Sequence, residues 1–472
     1  MIPAKAITTR GYSIEKAALT GAQIAALEKE LTAKPQLPPN FAEMVTSFPL
    51  YLSSPTRYYI PNAWGKRMYG EAVEMRSLGA PLRDELKFTG TLRSHQVESL
   101  AAFKKSGNNG IICLPCGYGK TFTAIAAALE LRRSFMIVVH KEFLADQWLS
   151  ELTTNVPGIK VGRIQGEKCD ITGVDCSIAM IQTLCSRHYP AGTFANFGLA
   201  IFDEVHHLGA EHFSQALQKV NVPAMLGLTA TPKRADGLTK VFTYHLGEIV
   251  YNITKRPKDD TVRVEVLRFT SADPAYTTIP TNFRGEIIRA HLINAIADYK
   301  PRTVALVECV IEELKKHAER RVLILSDRRE HLITITELFH ERGYKRTGYY
   351  VGGMKQADLD ASAKQQIILG TFAMASEGMN IPVLNMVVLA TPKSSIEQSV
   401  GRILRTKKED RVVEPIILDI MDTAFVECIG QYARRKKFFK ECGYTIHFVG
   451  DPETNEIMES EEKKGVPLFV ED

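Results

Sequence analysis

From Phe88 onward the chain repeats one texture: a short apolar run closed by Gly, Pro or Asp, then a stretch of helical composition, then another apolar run. Continuous apolar runs of strand length suit strands buried on both faces, and strands joined through helices pair in parallel. The pattern therefore dictates a mostly parallel sheet with helices on both sides. Strands are expected at Gly110–Leu114, Phe135–His140, Ser177–Ile181, Leu199–Asp203 and Met225–Thr229, with helices over Thr121–Leu131, Phe143–Leu152 and Glu211–Val220. Residues 254–300 are polar and irregular apart from a strand expected at Val262–Phe269. The alternation then returns: helix Val304–His317, strand Arg321–Ser326, helix His331–Arg342, and strands Lys364–Thr371 and Asn385–Ala390. Two α/β domains of similar size stand in tandem.

A chain of 472 residues is too long for a single core. With 45% apolar and 24% charged residues it is ordinary for a globular protein, which excludes wholesale disorder and coiled-coil rods. The net charge of +5 permits nucleic-acid binding without arguing for it. No apolar run approaches the ~18 residues of a membrane span. Lys5, Arg10 and Glu15 interrupt the N-terminus where a signal peptide would be apolar. Eight cysteines diluted over this length suit reduced thiols, so a soluble intracellular protein without a membrane partner is expected. Cys113 and Cys116 form a C-x-x-C with no second pair at ligand spacing, so a metal site is not expected there.

Residues 1–85 read as a small α+β accessory module. Thr20 to Gln23 is a capping-box pattern, and Ile24, Leu27 and Leu31 follow on one helical face. An aromatic cluster (Phe48, Tyr51, Tyr58, Tyr59, Trp64) lies beside Arg57, Lys66 and Arg67. Such a cluster either forms a small core or stacks on bases. The domains expected are 1–85, 86–255 and 256–450, with an acidic tail at 451–472.

Leu114-Pro-Cys-Gly-Tyr-Gly-Lys-Thr121 joins a strand to a helix. A glycine-bearing loop there lets backbone N–H groups cradle phosphate oxygens, and the helix N-terminus adds positive potential. Lys120 would reach the β- and γ-phosphates, and Thr121 would ligate Mg²⁺. The generic pattern has glycine where this chain has Leu114, and a structural glycine turn is the alternative. Leu199-Ala-Ile-Phe-Asp-Glu-Val-His-His207 is an apolar strand ending in two carboxylates. Asp203 would bind Mg²⁺ through water, and Glu204 would orient or deprotonate the attacking water. In Gly227-Leu-Thr-Ala-Thr231 the hydroxyls of Thr229 and Thr231 can bond those carboxylates or His206, coupling the nucleotide site to a polymer track.

Taken together, these motifs resemble those of the superfamily 2 helicases and translocases, and further elements follow in the family's order over about 85–420. Leu92-Arg93-Ser-His-Gln96 resembles the adenine-reading motif, with Gln96 matching the adenine edge. Val138 to Trp148, containing His140 and Lys141, resembles motif Ia, and Ala179 to Leu184, containing Gln182 and Thr183, the next backbone-gripping motif. Leu323 to Arg329 resembles motif IV, with Ser326 and Arg328 at its tip. Gly370 to Asn380 resembles motif V, with Thr371 at the strand end. Gln398 to Arg405 resembles motif VI, with Arg402 and Arg405 expected on one helical face as arginine fingers. The phosphate-loop wording resembles the transcription and repair translocases, poxvirus transcript-release helicases and phage branch-migration helicases. Arg57–Gly70, Ser326–Leu332 and Ala433–Phe439, which holds the basic run Arg434–Lys437, resemble the versions in large DNA viruses. Where this chain has Asn380, motif V often has Asp.

The resemblance implies two tandem RecA-like parallel-sheet domains with the accessory module in front. It implies ATP and Mg²⁺ as cofactors, held through Arg93, Gln96, Pro115, Cys116, Gly117, Tyr118, Gly119, Lys120 and Thr121, with Gly378 and Asn380 on the second domain. Lys120, Asp203, Glu204, Gln398, Arg402 and Arg405 would carry hydrolysis. His140, Lys141, Gln182, Thr183, Ser326, Arg328 and Thr371 would hold nucleic acid. The partner expected is DNA, double-stranded or branched, serving transcription or recombination with a polymerase or recombination partner. An RNA helicase is the alternative inside the class, and an inactive scaffold the alternative outside it.

Overall fold

In the computed structural model, which describes residues 2–36, 47–115, 117–206, 211–231, 236–253, 258–283, 285–377, 379, 381–404, 406 and 408–449, the chain divides into two compact units, Met1–Thr254 and Lys255–Asp472. Each is organised around one large sheet. In the first, Phe135-Met-Ile-Val-Val139 is buried at every position because helices cover both faces. Ile112, Ile137 and Ile201 pack into one apolar layer, and their neighbours Ile111, Met136 and Ala200 into the other. The strand order is Lys168–Cys169, Val161–Gln165, Cys176–Met180, Phe135–Val139, Leu199–Phe202, Ala224–Thr229, Asn109–Cys113, Ile249–Asn252. All pairings are parallel except that of the short Lys168–Cys169 edge. The strand tips bearing Leu114, Asp203 and Thr229 therefore share one edge, where open α/β sheets bind ligands.

The second unit repeats the design with seven parallel strands in the order Thr347–Tyr350, Ile367–Thr371, Val322–Ser326, Met386–Leu389, Ile416–Asp422, Arg263–Phe269, Thr445–Val449. Buried charge marks this unit. Arg302, Asp422 and Tyr276 are fully buried together. Arg302 Nη2 donates to Asp422 Oδ2 at 2.9 Å, and the Tyr276 hydroxyl donates to Asp422 Oδ1 at 2.7 Å. The C-terminal helix Val426–Glu441 turns Phe439 into the core. It also turns Arg435 inward, onto Asp419 at 2.8 Å. The basic run Arg434–Lys437 therefore does not form one outward face, although Arg434 and Lys437 remain exposed.

The first 75 or so residues join the first unit through a shared core. Their five-stranded sheet runs Leu52–Ser53, Arg57–Ile60, Gly11–Glu15, Lys5–Thr8, Val73–Glu74. The helix Gly21–Glu30 carries the expected capping box, Thr20 Oγ1 accepting from the Gln23 N–H. Tyr12, Tyr58 and Trp64 are buried with Leu27 and Leu31, and the same cluster takes in Leu238 and Val241 at the helix Thr239–Leu246. The aromatic cluster is thus a core. Arg57 is not available for stacking: it is buried against Ser13, Glu15 and the carbonyls of Pro3 and Ala4. Deleting residues 1–85 would uncover Leu238 and Val241. The truncated chain is expected to be insoluble or to lose ATPase outright. Recovery of a soluble truncation with full basal turnover would contradict this.

Two histidines are buried neutral. His245 in the first unit and His331 in the second are both pushed down to about 3, by burial in each case and, for His331, also by the charge of Arg302. Their folded values lie below the ordinary ~6.5, so their stabilising contribution is complete above pH ~6.5 and lost as pH falls towards 3. Each should cost about 1.4 kcal/mol per pH unit across that window. Unfolding midpoints measured between pH 7 and 5 should fall accordingly, and His331→Gln should flatten the slope.

Candidate functional site

The loop after the strand Asn109–Cys113 turns on two glycines at positive φ, Gly117 at +87° and Gly119 at +75°, before Lys120 opens the helix Lys120–Leu131. Gly119 is required twice over, since a Cβ there would stand 2.2 Å from Gln96 Nε2. Gln96 is only 3% exposed. Its amide donates to the Tyr118 and Gly119 carbonyls at 3.2 and 3.3 Å, and its oxygen accepts from the Arg93 N–H at 2.7 Å. His95 Nε2 lies 3.0 Å from the same Tyr118 carbonyl. In this structure Gln96 is therefore a clamp on the loop, and Arg93 takes part through its backbone. Cys116 lies outside the described residues.

Asp203 and Glu204 stand at the tip of the Leu199–Phe202 strand. Lys120 Nζ is 3.2 Å from Glu204 Oε1. Burial, and then the adjacent charge of Glu204, push the Asp203 carboxyl up to about 6; Lys120 and a hydrogen bond from Trp148 pull the other way. That bond, Trp148 Nε1 to Asp203 Oδ2 at 2.9 Å, was not expected. The only signal for it in the sequence is that Trp148 closes the motif Ia stretch. Glu204 has φ +49°, a left-handed backbone that costs a non-glycine residue on the order of 1–3 kcal/mol. Its N–H is held by Asp203 Oδ1 at 3.0 Å. His206 Nδ1 lies 3.4 Å from Glu204 Oε2 and 3.2 Å from Thr229 Oγ1, and Thr229 Oγ1 accepts from the Thr231 N–H at 3.1 Å. A continuous polar chain thus runs from Lys120 through Glu204, His206 and Thr229 to Thr231. A cation, two carboxylates and a backbone cradle on one sheet edge can bind a polyphosphate and orient water against it.

The residues expected at nucleic acid divide. Gln182 is exposed and donates to the carbonyl of His140 at 2.7 Å, tying the motif Ia loop to the next motif. Lys141 caps the helix Glu142–Asn155, and Thr371 ends its strand half-buried. Thr183 is buried and accepts from the Gly166 N–H. Ser326 is fully buried, its hydroxyl between His331 Nδ1 and the Arg328 N–H. Both hydroxyls face inward and hold turns. The Arg328 guanidinium bonds Asn294 Oδ1 and the Ala290 carbonyl.

Motif VI departs from expectation. The helix Glu397–Val400 ends before Arg402, so no helical face carries Arg402 onward. Arg402 is buried and donates to the carbonyls of Ala375 and Met379, clamping the motif V segment. Gln398 sits half-buried on the short helix. Arg405, Gly378 and Asn380 lie outside the described residues.

Fold and site together define an ATP-hydrolysing helicase motor. Residues 89–234 match the family described as type III restriction enzyme, res subunit, and residues 305–407 match the helicase conserved C-terminal domain. A protein of Acanthamoeba polyphaga mimivirus described as an ATP-dependent RNA helicase is 33% identical over 452 residues, covering 93% of this chain and 86% of its own. A protein of African swine fever virus with the same description is 26% identical over 366 residues, covering 71% and 69%. The DNA-bound Type ISP restriction-modification enzyme LlaBIII shares the fold, with a TM-score of 0.53 and 15% identity over 80% of this chain and 32% of that one. The chain belongs to the superfamily 2 helicases of the large-DNA-virus type. Nucleic acid is its partner and ATP its fuel. No helix among the described residues is long and apolar enough to cross a membrane.

Proposed function

We propose that this helicase is a DNA translocase, coupling ATP hydrolysis to movement on double-stranded or branched DNA in transcription or recombination, alongside a polymerase or recombination partner. The observation that carries this reading is the match of residues 89–234 to the family described as type III restriction enzyme, res subunit. The wording of Leu114–Thr121 agrees with it. Lys120 and the loop N–H groups would hold the phosphates. Glu204 would take the proton of the attacking water, its carboxylate kept in place by Lys120 and His206. Thr121 and Asp203 offer the hard oxygen donors that suit Mg²⁺. When bound, Mg²⁺ would neutralise phosphate charge.

A second reading, an RNA helicase, is favoured by the description of the mimivirus relative. Steady-state ATPase with duplex DNA, single-stranded DNA and RNA in parallel separates the two. Stimulation by DNA, falling steeply with salt because the contacts are to phosphates, is the expected result. Stimulation by RNA with DNA inert would overturn the DNA reading and leave the motor.

A further inference from the structure

Trp148 is 1% exposed and lies on the buried face of the helix Glu142–Asn155, in one apolar cluster with Leu144, Ala145 and Leu152. Spacings of three and four residues place these side chains together. An indole has a single hydrogen-bonding group, the Nε1–H, and when buried it has to find a partner. Phenylalanine would fill an apolar slot without that demand. Here the partner is the Asp203 carboxylate, at Oδ2.

That bond completes a three-point hold on Asp203. The Asp203 N–H donates to the Val138 carbonyl at 3.0 Å, and its Oδ1 accepts from the Glu204 N–H at 3.0 Å. With Oδ1 alone tied, the carboxylate could still pivot; the second tie, at Oδ2, fixes its plane. The hold matters one residue further on. Glu204 sits at φ +49°, and a non-glycine residue stays in the left-handed region only where its surroundings over-determine it. The bond from its N–H to Asp203 Oδ1 is one such restraint, and Trp148 keeps that oxygen in place. Beyond the turn, Glu204 meets Lys120 Nζ at 3.2 Å and His206 Nδ1 at 3.4 Å. Those contacts aim the carboxylate only if its backbone is set. Val138 and Trp148 bound the motif Ia stretch, so one segment braces Asp203 at both backbone and side chain.

We propose that Trp148 is a positioning residue for hydrolysis: its indole N–H fixes the Asp203 carboxylate, which through the Glu204 N–H holds the strained turn and sets the Glu204 carboxylate for the attacking water. This rests on the reading of Glu204 as the base. Trp148→Phe keeps an aromatic ring in the slot and removes the donor. The kcat for ATP should fall about 10- to 100-fold, the scale of a misplaced reacting group. Equilibrium binding of a labelled, non-hydrolysable ATP analogue should stay close to wild type, because Lys120 and the loop N–H groups are untouched. Benzothienylalanine in place of Trp148 has the indole's shape with sulfur where the N–H stands, so it should lose kcat to the same extent with the packing preserved. In single-turnover measurements on a Glu204→Gln background, adding Trp148→Phe should cost little more, since both changes act on one chain of contacts. A residue that merely supports the fold would lower both backgrounds alike. Wild-type kcat in the benzothienylalanine protein, loss of nucleotide binding in step with kcat, or full additivity with Glu204→Gln would overturn the proposal. Near wild-type turnover by Glu204→Gln alone would instead overturn the reading beneath it.

Discussion

Lys120→Ala is expected to reduce ATP turnover by about 10³-fold or more, with Glu204→Gln producing a comparable loss by a different route. Lys120 is the cation at the mouth of the phosphate loop, and its ammonium lies 3.2 Å from Glu204. Alanine removes the charge that phosphates would meet. It also leaves Asp203 beside Glu204 without the ammonium that favours ionisation of Asp203, so Asp203 should become harder to charge. Both nucleotide binding and hydrolysis should therefore fail. Glu204→Gln leaves Lys120 and the loop intact and keeps the side-chain length. Nucleotide should still bind while proton transfer stops. Equilibrium binding of a labelled nucleotide alongside steady-state ATPase distinguishes the two patterns. A Glu204→Gln protein turning over near the wild-type rate would remove Glu204 as the base.

Asp422→Ala should destabilise the second unit by about 3–5 kcal/mol, because it strands the Arg302 guanidinium and the Tyr276 hydroxyl in a dry interior. Denaturant melts should show a clear fall in midpoint. Replacing both partners with apolar residues, Arg302→Met with Asp422→Leu, should cost much less than the single change, since no charge is left buried. The exposed pair Lys408–Asp260 is the control, and Asp260→Ala should leave the midpoint in place. A single Asp422→Ala variant as stable as the parent would show that Arg302 finds water or another partner.

The strands readable in the sequence are those with uninterrupted apolar runs, such as Phe135–Val139 and Val322–Ser326, because burial on both faces leaves no room for polar residues. Val161–Gln165 was hidden by Arg163, which pairs with Asp146 on the helix Glu142–Asn155. Thr445–Val449 was hidden by its exposed edge position. Ile416–Asp422 carries Asp419 and Asp422 in a fully buried strand, and carboxylates there look like surface until Arg435 and Arg302 are seen facing them. Of the site, the residues in contiguous motifs were legible: Lys120, Asp203, Glu204, His206 and Thr229 do come together. Contacts across sequence were not. Trp148 on Asp203 and Gln96 on the loop carbonyls depend on which helix lies over which strand tip, and no local pattern records that.

The apolar face that Leu238 and Val241 complete has a bearing on synthesis. The N-terminal sheet leaves the ribosome long before the helix that closes its core. At about 5–20 residues per second, the roughly 160 residues between Glu74 and Leu238 take about 10–30 s to appear. Through that interval Tyr58, Trp64 and their neighbours have no lid. The nascent chain offers an adhesive surface, which makes this sheet the part most in need of a chaperone and most exposed to nascent-chain aggregation when the protein is made fast.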